Sequence, residues 1–321
     1  MRAVVAEPWD RDALDATARI PIIDEFALFD PNAGGPRDPN PTNQLPPQAP
    51  APPAVPVEIN HIGGAVVAAV VGVGLAVAAK FGATPLLVGV AAAQGLLVIS
   101  WVVGTALPGR LGALVVGALA AGGADVVVSR WPHGQLGTLL GVLGLAIPAM
   151  FIHQLTRGVV RARVVESLSD IALMVVPVVS MAALLQLRHE TVGALMVSGV
   201  MLAAGGALVA GHLVDMVWPV PRFDVNVRRG LLAVVIASAV GAGATYLRLR
   251  DTVDFASGRS LSLGASVGAI VSLFAVGAAF VQYGLPPGGR IAAITRPVAG
   301  AFMSVGLLAP LGYLLCLIIR G

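Results

Sequence analysis

From residue 62 onward the chain is a succession of long apolar runs separated by short polar connections. A helix needs about 20 apolar residues to cross the hydrocarbon core of a bilayer. The runs lack the alternation of a membrane barrel, and backbone within lipid must satisfy its own hydrogen bonds, so they predict helices. Three runs are short, and the expected number of spans is eight to ten. The nine candidate spans are Ile62–Ala79, Pro85–Leu107, Leu111–Val128, Leu136–Ile152, Ile171–Leu187, Val192–Trp218, Gly230–Leu247, Leu261–Tyr283 and Val298–Ile319.

The composition excludes a soluble domain, because 57% of the residues are hydrophobic and only 12% are charged. We therefore predict an all-α polytopic transmembrane helix bundle of about nine spans over residues 61–321. This part of the chain holds sixteen basic and eight acidic side chains. Such an excess serves orientation and lipid headgroups rather than nucleic acid. Lys80 is the only lysine, a bias that is typical of GC-rich actinobacterial genomes.

Residues 1–60 are predicted to form a cytoplasmic disordered tail. The first twenty residues lack the continuous apolar core of a signal peptide, and residues 35–57 form a Pro-rich, extended linker. Two interpretations stay open for residues 19–32: an inert tail, or a motif on a tether that binds a protein partner. The candidate partner-binding side chains are Ile22, Ile23, Phe26, Leu28 and Phe29.

Loop charges predict the orientation. Nine Arg fall in loops on the side of the N-terminal tail, against seven basic residues on the other side. The positive-inside rule then predicts a multi-pass protein of the plasma (inner) membrane with a cytoplasmic N-terminus and an external C-terminus.

Small and rigid residues within the spans predict how the helices pack. Glycines at short spacing allow close approach of helix backbones, and prolines inside spans predict kinks. Cys316 is the only cysteine, which excludes a thiol-based metal site and predicts an inert, buried side chain. The glycines are Gly134, Gly137, Gly141, Gly144, Gly264 and Gly268, and the prolines are Pro148, Pro177 and Pro310.

A few polar residues within or beside the spans are candidates for function. Gln94 predicts an interhelical hydrogen bond, and Asp125 predicts an ion pair with Arg130. His153 and Gln154 end the fourth span, before a segment rich in Arg and acids. We expect this segment to be an amphipathic interfacial helix that contacts anionic headgroups, with substrate-phosphate binding as the alternative. Its candidate headgroup contacts are Arg157, Arg161 and Arg163.

The densest polar cluster lies around the end of the sixth span. His212 and Asp215 are three residues apart and share a helix face. Structural pairing is one interpretation, and orientation of an imidazole for base catalysis is the other. Two ligands do not complete a metal site, so no metal is predicted. Arg-rich loops before the seventh and ninth spans are expected to form the rim of one pocket. The full candidate cluster is His212, Asp215, Arg222, Asp224, Arg228, Arg229, Arg290 and Arg296.

The order of these features over about residues 190–320 resembles the bacterial phosphatidate cytidylyltransferases (CDP-diacylglycerol synthases). A Pro/Arg/Gly loop precedes "GLLAVVIASAVGAGA", an "LPPGGR" loop follows, and the last span reads "VGLLAPLGYLL". The resemblance implies that Asp215 takes the place of the family's first Asp. It also implies that 228–230 match its basic run and 287–289 its Pro-Gly turn.

The chain departs from that family at the acids that hold the divalent metal. Ala279 and Phe280 stand where the family has a Lys-Asp pair, the turn lacks His, and no Asp lies near 292–296. Metal-assisted phosphoryl chemistry needs charged oxygen ligands. The resemblance therefore implies a degenerate relative that keeps the bundle without the reaction.

Three functions stay open. The first is a non-catalytic scaffold or assembly subunit of the cell envelope, without a cofactor, that contacts membrane lipids and binds a protein partner through its tail. The second is a lipid-headgroup transferase of the CDP-lipid type, which would need Mg²⁺ together with Asp215, Asp224 and Arg228. The third is a small-molecule or lipid transporter with a cavity along the Pro-kinked spans.

Overall fold

The structure is a computed structural model that describes residues 60–105, 107, 109–131, 136–157, 164–224, 227–252, 255, 257–285 and 289–320. The predictions for the tail, including Ile22, Ile23, Phe26, Leu28 and Phe29, lie outside the described residues. Those for Arg161 and Arg163 lie outside them as well.

The described residues form helices, and their only extended pairing is an isolated bridge between Arg222 and Gly230. Within them, nine helical segments are long and apolar enough to cross a membrane, with α5 and α6 making one segment. The predicted all-helical, multi-pass membrane fold is confirmed, and its helices contact lipid. The helices are α1 (His61–Phe81), α2 (Ala83–Gly104), α3 (Arg110–Arg130), α4 (Gly137–Thr156), α5 (Val164–Met181), α6 (Ala183–Arg188), α7 (Gly193–Val217), α8 (Leu231–Leu249), α9 (Ser257–Tyr283) and α10 (Arg290–Arg320).

Helix boundaries follow from local chemistry. Asn60 caps α1, since its Oδ1 accepts a hydrogen bond from the Gly63 backbone N–H at 2.8 Å. Gly82, at φ 137°, alone separates α1 from α2, and Gly109, at φ 77°, precedes α3. Both conformations favour glycine because it lacks a Cβ. The short turn at Gly82 makes α1 and α2 antiparallel neighbours.

The helices continue through the three prolines that are predicted to kink them. Pro148 lies within α4, Pro177 within α5 and Pro310 within α10. The chain tightens between α5 and α6, where the Ala182 N–H donates to the Val179 carbonyl at 3.2 Å. Proline disturbs the helix at the turn that precedes it, so this tightening, five residues after Pro177, is not its direct effect. The kinks stay predictions.

Helix α7 is central and packs against α1 on one side and α8 on the other. The α1 and α7 backbones meet at Gly72 and Gly205. A Cβ at Gly72 would lie 2.7 Å from the Gly205 Cα, and one at Gly205 would lie 2.9 Å from the Gly72 Cα. These two glycines therefore permit the backbone contact that joins the first span to the centre of the bundle.

The α8–α9 interface confirms the predicted packing of Gly264 and Gly268. A Cβ at Gly264 would overlap the Gly241 carbonyl, and a Cβ at Gly268 would overlap the Ala237 carbonyl. Thr245 reinforces the contact, because its hydroxyl donates to the Ser260 carbonyl at 2.6 Å.

The prediction for the glycines of the fourth span is wrong. A Cβ at Gly137, Gly141 or Gly144 would meet no neighbouring atom within 4 Å. The reason is the position of α4, which packs on α3 and α5 and leaves its other sides, including Leu140 and Leu145, exposed. Gly134 lies outside the described residues.

Cys316 is buried in α10 with 0% of its surface exposed. We expect the folded protein in detergent to resist a maleimide for hours and to be labelled within minutes after denaturation, because reaction needs an accessible thiolate. Gel-shift labelling measures both rates. As a control, Ser262→Cys places a thiol on an exposed site of α9 and should be labelled without denaturation. Equal labelling of both thiols in the folded protein would contradict the packing of α10.

Candidate functional site

Consecutive spans alternate in direction, so α1, α3, α5, α8 and α10 begin at one membrane face, where α2, α4, α7 and α9 end. We call this the proximal face. Contacts across it agree with the topology: His61 of α1 meets His212 of α7, and Arg296 of α10 meets Gly104 of α2. All the candidate residues of the polar cluster belong to this face.

Asp215 of α7 lies at this face with both carboxylate oxygens hydrogen-bonded. Arg229 donates from Nη1 to Oδ2 at 3.0 Å, and the Gly230 backbone N–H donates to Oδ1 at 2.8 Å. Asp215 is 2% exposed and Arg229 is 6% exposed. This is a buried, hydrogen-bonded ion pair between α7 and the residue next to the start of α8.

His212 extends the pair toward α1. The Arg229 Nη2 lies 3.2 Å from the His212 Nε2, and the ring of His61 meets that of His212 edge-on, with centroids 5.8 Å apart. Gly64 makes room, because a Cβ there would lie 2.6 Å from the His212 Nε2. We call His61, His212, Asp215 and Arg229 the His–Asp–Arg cluster, which joins α1, α7 and the α7–α8 loop.

The α7–α8 loop folds back on itself to deliver Arg229. The Phe223 N–H donates to the Arg229 carbonyl at 3.1 Å, and the Leu231 N–H donates to the Pro221 carbonyl at 2.9 Å. Val227 is buried in this turn. Burial lowers the pKa of the Arg229 guanidinium while Asp215 raises it, and guanidinium stays protonated in proteins. The cluster therefore holds a permanent buried cation whose counter-ion is Asp215.

The structure brings together three of the eight residues of the predicted cluster: His212, Asp215 and Arg229. Arg296 lies elsewhere, since its Nε donates to the Gly104 carbonyl at 3.4 Å. The Gln282 Nε2 donates to the Arg296 carbonyl at 2.9 Å, which ties the end of α9 to α10. Of the others, Asp224 is half-buried, and Arg222, Arg228 and Arg290 are exposed.

Sequence reasoning missed His61 and Gly64. Both lie on α1, far along the chain from His212, and no local spacing pairs them with it. The available signal was a histidine immediately before the first apolar run.

Gln94 makes the predicted interhelical hydrogen bond. Its Nε2 donates to the Asp125 Oδ1 and to the Val178 carbonyl, each at 3.1 Å. The predicted ion pair of Asp125 with Arg130 is wrong, because residues five apart on a helix point about 140° apart. Arg130 is exposed, whereas Asp125 is buried against α2.

A second polar site lies at the end of α4, on the proximal face. Gln154 donates from Nε2 to the Ser167 Oγ at 2.9 Å and accepts from the Arg157 Nη1 at 2.7 Å. Residues 158–163 of the predicted interfacial helix lie outside the described residues, and its acids Glu166 and Asp170 belong to α5. Beside Arg157 is a shallow, largely open cavity of about 520 Å³, lined also by Gly109, Arg110, Gly112 and His153.

Across the part of the chain that the structure describes, no group of three or more His, Cys, Asp or Glu side chains is placed to hold a metal ion. Comparisons with models of protein families, with curated proteins and with solved structures found no match to this chain.

Proposed function

We propose that this protein is a non-catalytic scaffold or assembly subunit of the cell envelope, in the plasma membrane with a cytoplasmic N-terminus. The observation that supports this function is the state of Asp215, which the resemblance to the cytidylyltransferases assigns to the place of their first Asp. Both of its oxygens accept hydrogen bonds from within the chain, and it is almost fully buried. An acid in this state stabilises the bundle and is not presented to a metal ion or a nucleotide.

The proposal includes descent from the cytidylyltransferases, with loss of their reaction. In such a relative, the Asp that once bound the divalent metal now pairs with an Arg. The guanidinium group then supplies the positive charge that the metal ion would otherwise supply. A buried carboxylate needs a partner charge in either case. Arg229 is that partner here, and its placement favours stability over turnover.

The transferase alternative is tested by calorimetry of CTP with Mg²⁺ on the purified chain in detergent. We expect no binding at millimolar CTP, for the wild type and for Asp215→Asn alike. Binding by the wild type that Asp215→Asn abolishes, with the variant still folded by thermal unfolding, would overturn the proposal. The exposed Arg222→Gln serves as the matched control, because it lies on the same loop outside the His–Asp–Arg cluster.

The scaffold function assigns partner binding to the tail. We expect the full chain, cross-linked in native membranes, to carry one partner at fixed stoichiometry that a chain of residues 61–321 lacks. A full chain with Phe26→Ser and Phe29→Ser should lose it too, while Pro46→Ala and Pro47→Ala in the linker should not. Equal recovery by all four chains would overturn the role of the tail.

A further inference from the structure

The cavity between the start of α3 and the end of α4 carries a second, independent inference. Its volume is about 520 Å³, and Arg110 and Arg157 are on its wall. Arg110 is exposed, while Arg157 is half-buried and oriented by its hydrogen bond to Gln154. Two Arg side chains thus line the cavity, and the guanidinium group of Arg157 is held by Gln154.

His153 is the most unusual side chain of this cavity. It is 7% exposed and lines the cavity, yet its Nε2 has no hydrogen-bond partner. Buried polar atoms are almost always hydrogen-bonded, and each exception needs an explanation such as an absent ligand. The Nε2 is buried beside the backbone at the start of α3, 3.3 Å from where a Cβ on Gly109 would be.

Two glycines keep this space open. A Cβ at Gly112 would overlap the His153 ring, and one at Gly109 would lie 3.1 Å from the His153 Cε1 and 3.2 Å from the Arg157 Cδ. The imidazole therefore rests directly on the first turn of α3. Any larger residue at either position would displace the imidazole or fill part of the cavity.

The start of α3 adds backbone donors to the same place. Gly109 is its N-cap residue, and no side chain caps this end of the helix. The first N–H groups of a helix lack intrahelical partners, and the helix dipole makes this end attract anions. With His153 and the two Arg, the cavity collects donors that suit a tetrahedral, multiply charged oxyanion.

We propose that this cavity binds a phosphate group, supplied by the headgroup of an anionic lipid. His153 donates through Nε2–H, Arg157 and Arg110 donate from their guanidinium groups, and the first turn of α3 supplies backbone N–H donors. The acyl chains would lie along the neighbouring apolar side chains Leu111 and Leu155, which are exposed on α3 and α4. The site is separate from the His–Asp–Arg cluster and does not depend on the scaffold function.

The test measures retention of phosphatidylglycerol by the full chain in nanodiscs of phosphatidylcholine with a small fraction of phosphatidylglycerol, by native mass spectrometry. We expect the wild type to retain this lipid. Arg110→Gln with Arg157→Gln should weaken retention by about tenfold or more, because each removes a charge-assisted hydrogen bond. Arg228→Gln is the control, since it removes an exposed Arg of the same face outside the cavity and should leave retention unchanged.

A second arm separates the two sources of phosphate. Inorganic phosphate at millimolar concentration should not displace the lipid, because it lacks the acyl chains. If inorganic phosphate displaces the lipid from the wild type, and the Arg110→Gln, Arg157→Gln variant does not bind phosphate, the lipid is overturned as the ligand. The cavity is then a site for soluble phosphate.

A third readout uses the ¹⁵N shifts of the His153 imidazole, which should move when phosphatidylglycerol is added to the wild type. His153→Ala provides the assignment, and thermal unfolding checks that each variant is folded. Equal lipid retention by wild type and the double variant, together with unchanged imidazole shifts, would overturn the proposal.

Discussion

Arg229→Met is expected to destabilise the bundle by about 3–5 kcal/mol, because it leaves the Asp215 carboxylate buried without its counter-ion. Asp215→Asn should lower the free energy of unfolding by a similar amount, because it leaves the Arg229 guanidinium buried without its counter-ion. The double variant should be more stable than either single variant. In it, both charges are gone, and the Asn oxygen still accepts the hydrogen bond that the Gly230 N–H donates to Asp215.

Free energies of unfolding of the four proteins in mixed micelles, from a denaturation series in SDS, give the coupling energy of the pair. Arg228→Met is the matched control, since it removes the neighbouring, exposed Arg and should change stability by less than about 0.5 kcal/mol. Additive losses in the double variant would contradict the ion pair as the element that holds the α7–α8 loop.

Gly241→Ala is expected to destabilise the α8–α9 contact by about 1–3 kcal/mol, because an added methyl group must be accommodated in a packed interface. Its Cβ would overlap the Gly264 carbonyl and lie 3.1 Å from the Gly268 Cα. These are backbone atoms, so relief requires the two helices to move apart.

Gly243→Ala provides the control on the same helix, because its Cβ would meet no atom within 4 Å. It should be neutral or stabilising by up to about 1 kcal/mol, as expected for alanine replacing glycine in a helix. Unfolding of both variants in the same micelles measures the difference. A loss of equal size for both would show that the cost comes from the helix itself and not from the interface.

The sequence predicted the spans well because one physical requirement dominates them. Hydrocarbon tolerates only helical backbone of sufficient apolar length, and prolines or charged residues soon follow where a helix leaves it. The ends of α7 and α9, each followed by prolines, lie within a residue of the ends of the predicted spans.

The packing partners were less predictable, because they depend on which helices become neighbours. Glycine spacing shows that a helix can be approached closely, and it succeeded for Gly264 and failed for Gly141. The difference is that α9 lies against α8 in the bundle, whereas α4 lies at its edge. Nothing within a single span distinguishes the two positions.

The residues of the candidate site likewise fall into those that the sequence predicts and those that only the fold brings together. His212 and Asp215 were paired by their spacing on one helix, whereas the choice of Arg229 among several neighbouring Arg needed the fold of the loop. In the sequence, His153 marks only the end of a span. Its unpartnered Nε2 and the glycines that accommodate its ring become visible only once α3 and α4 are placed side by side.

The backbone contact of Gly72 with Gly205 has a consequence for biosynthesis. Four spans separate α1 from α7 along the chain, and a chain emerges from the ribosome from its N-terminus. The first span therefore resides in the membrane, with its glycine face unmatched, while the next four are inserted. Only when α7 has entered the bilayer does the glycine face of α1 gain its partner, and Arg229, the last residue of the His–Asp–Arg cluster to be synthesised, then completes that cluster.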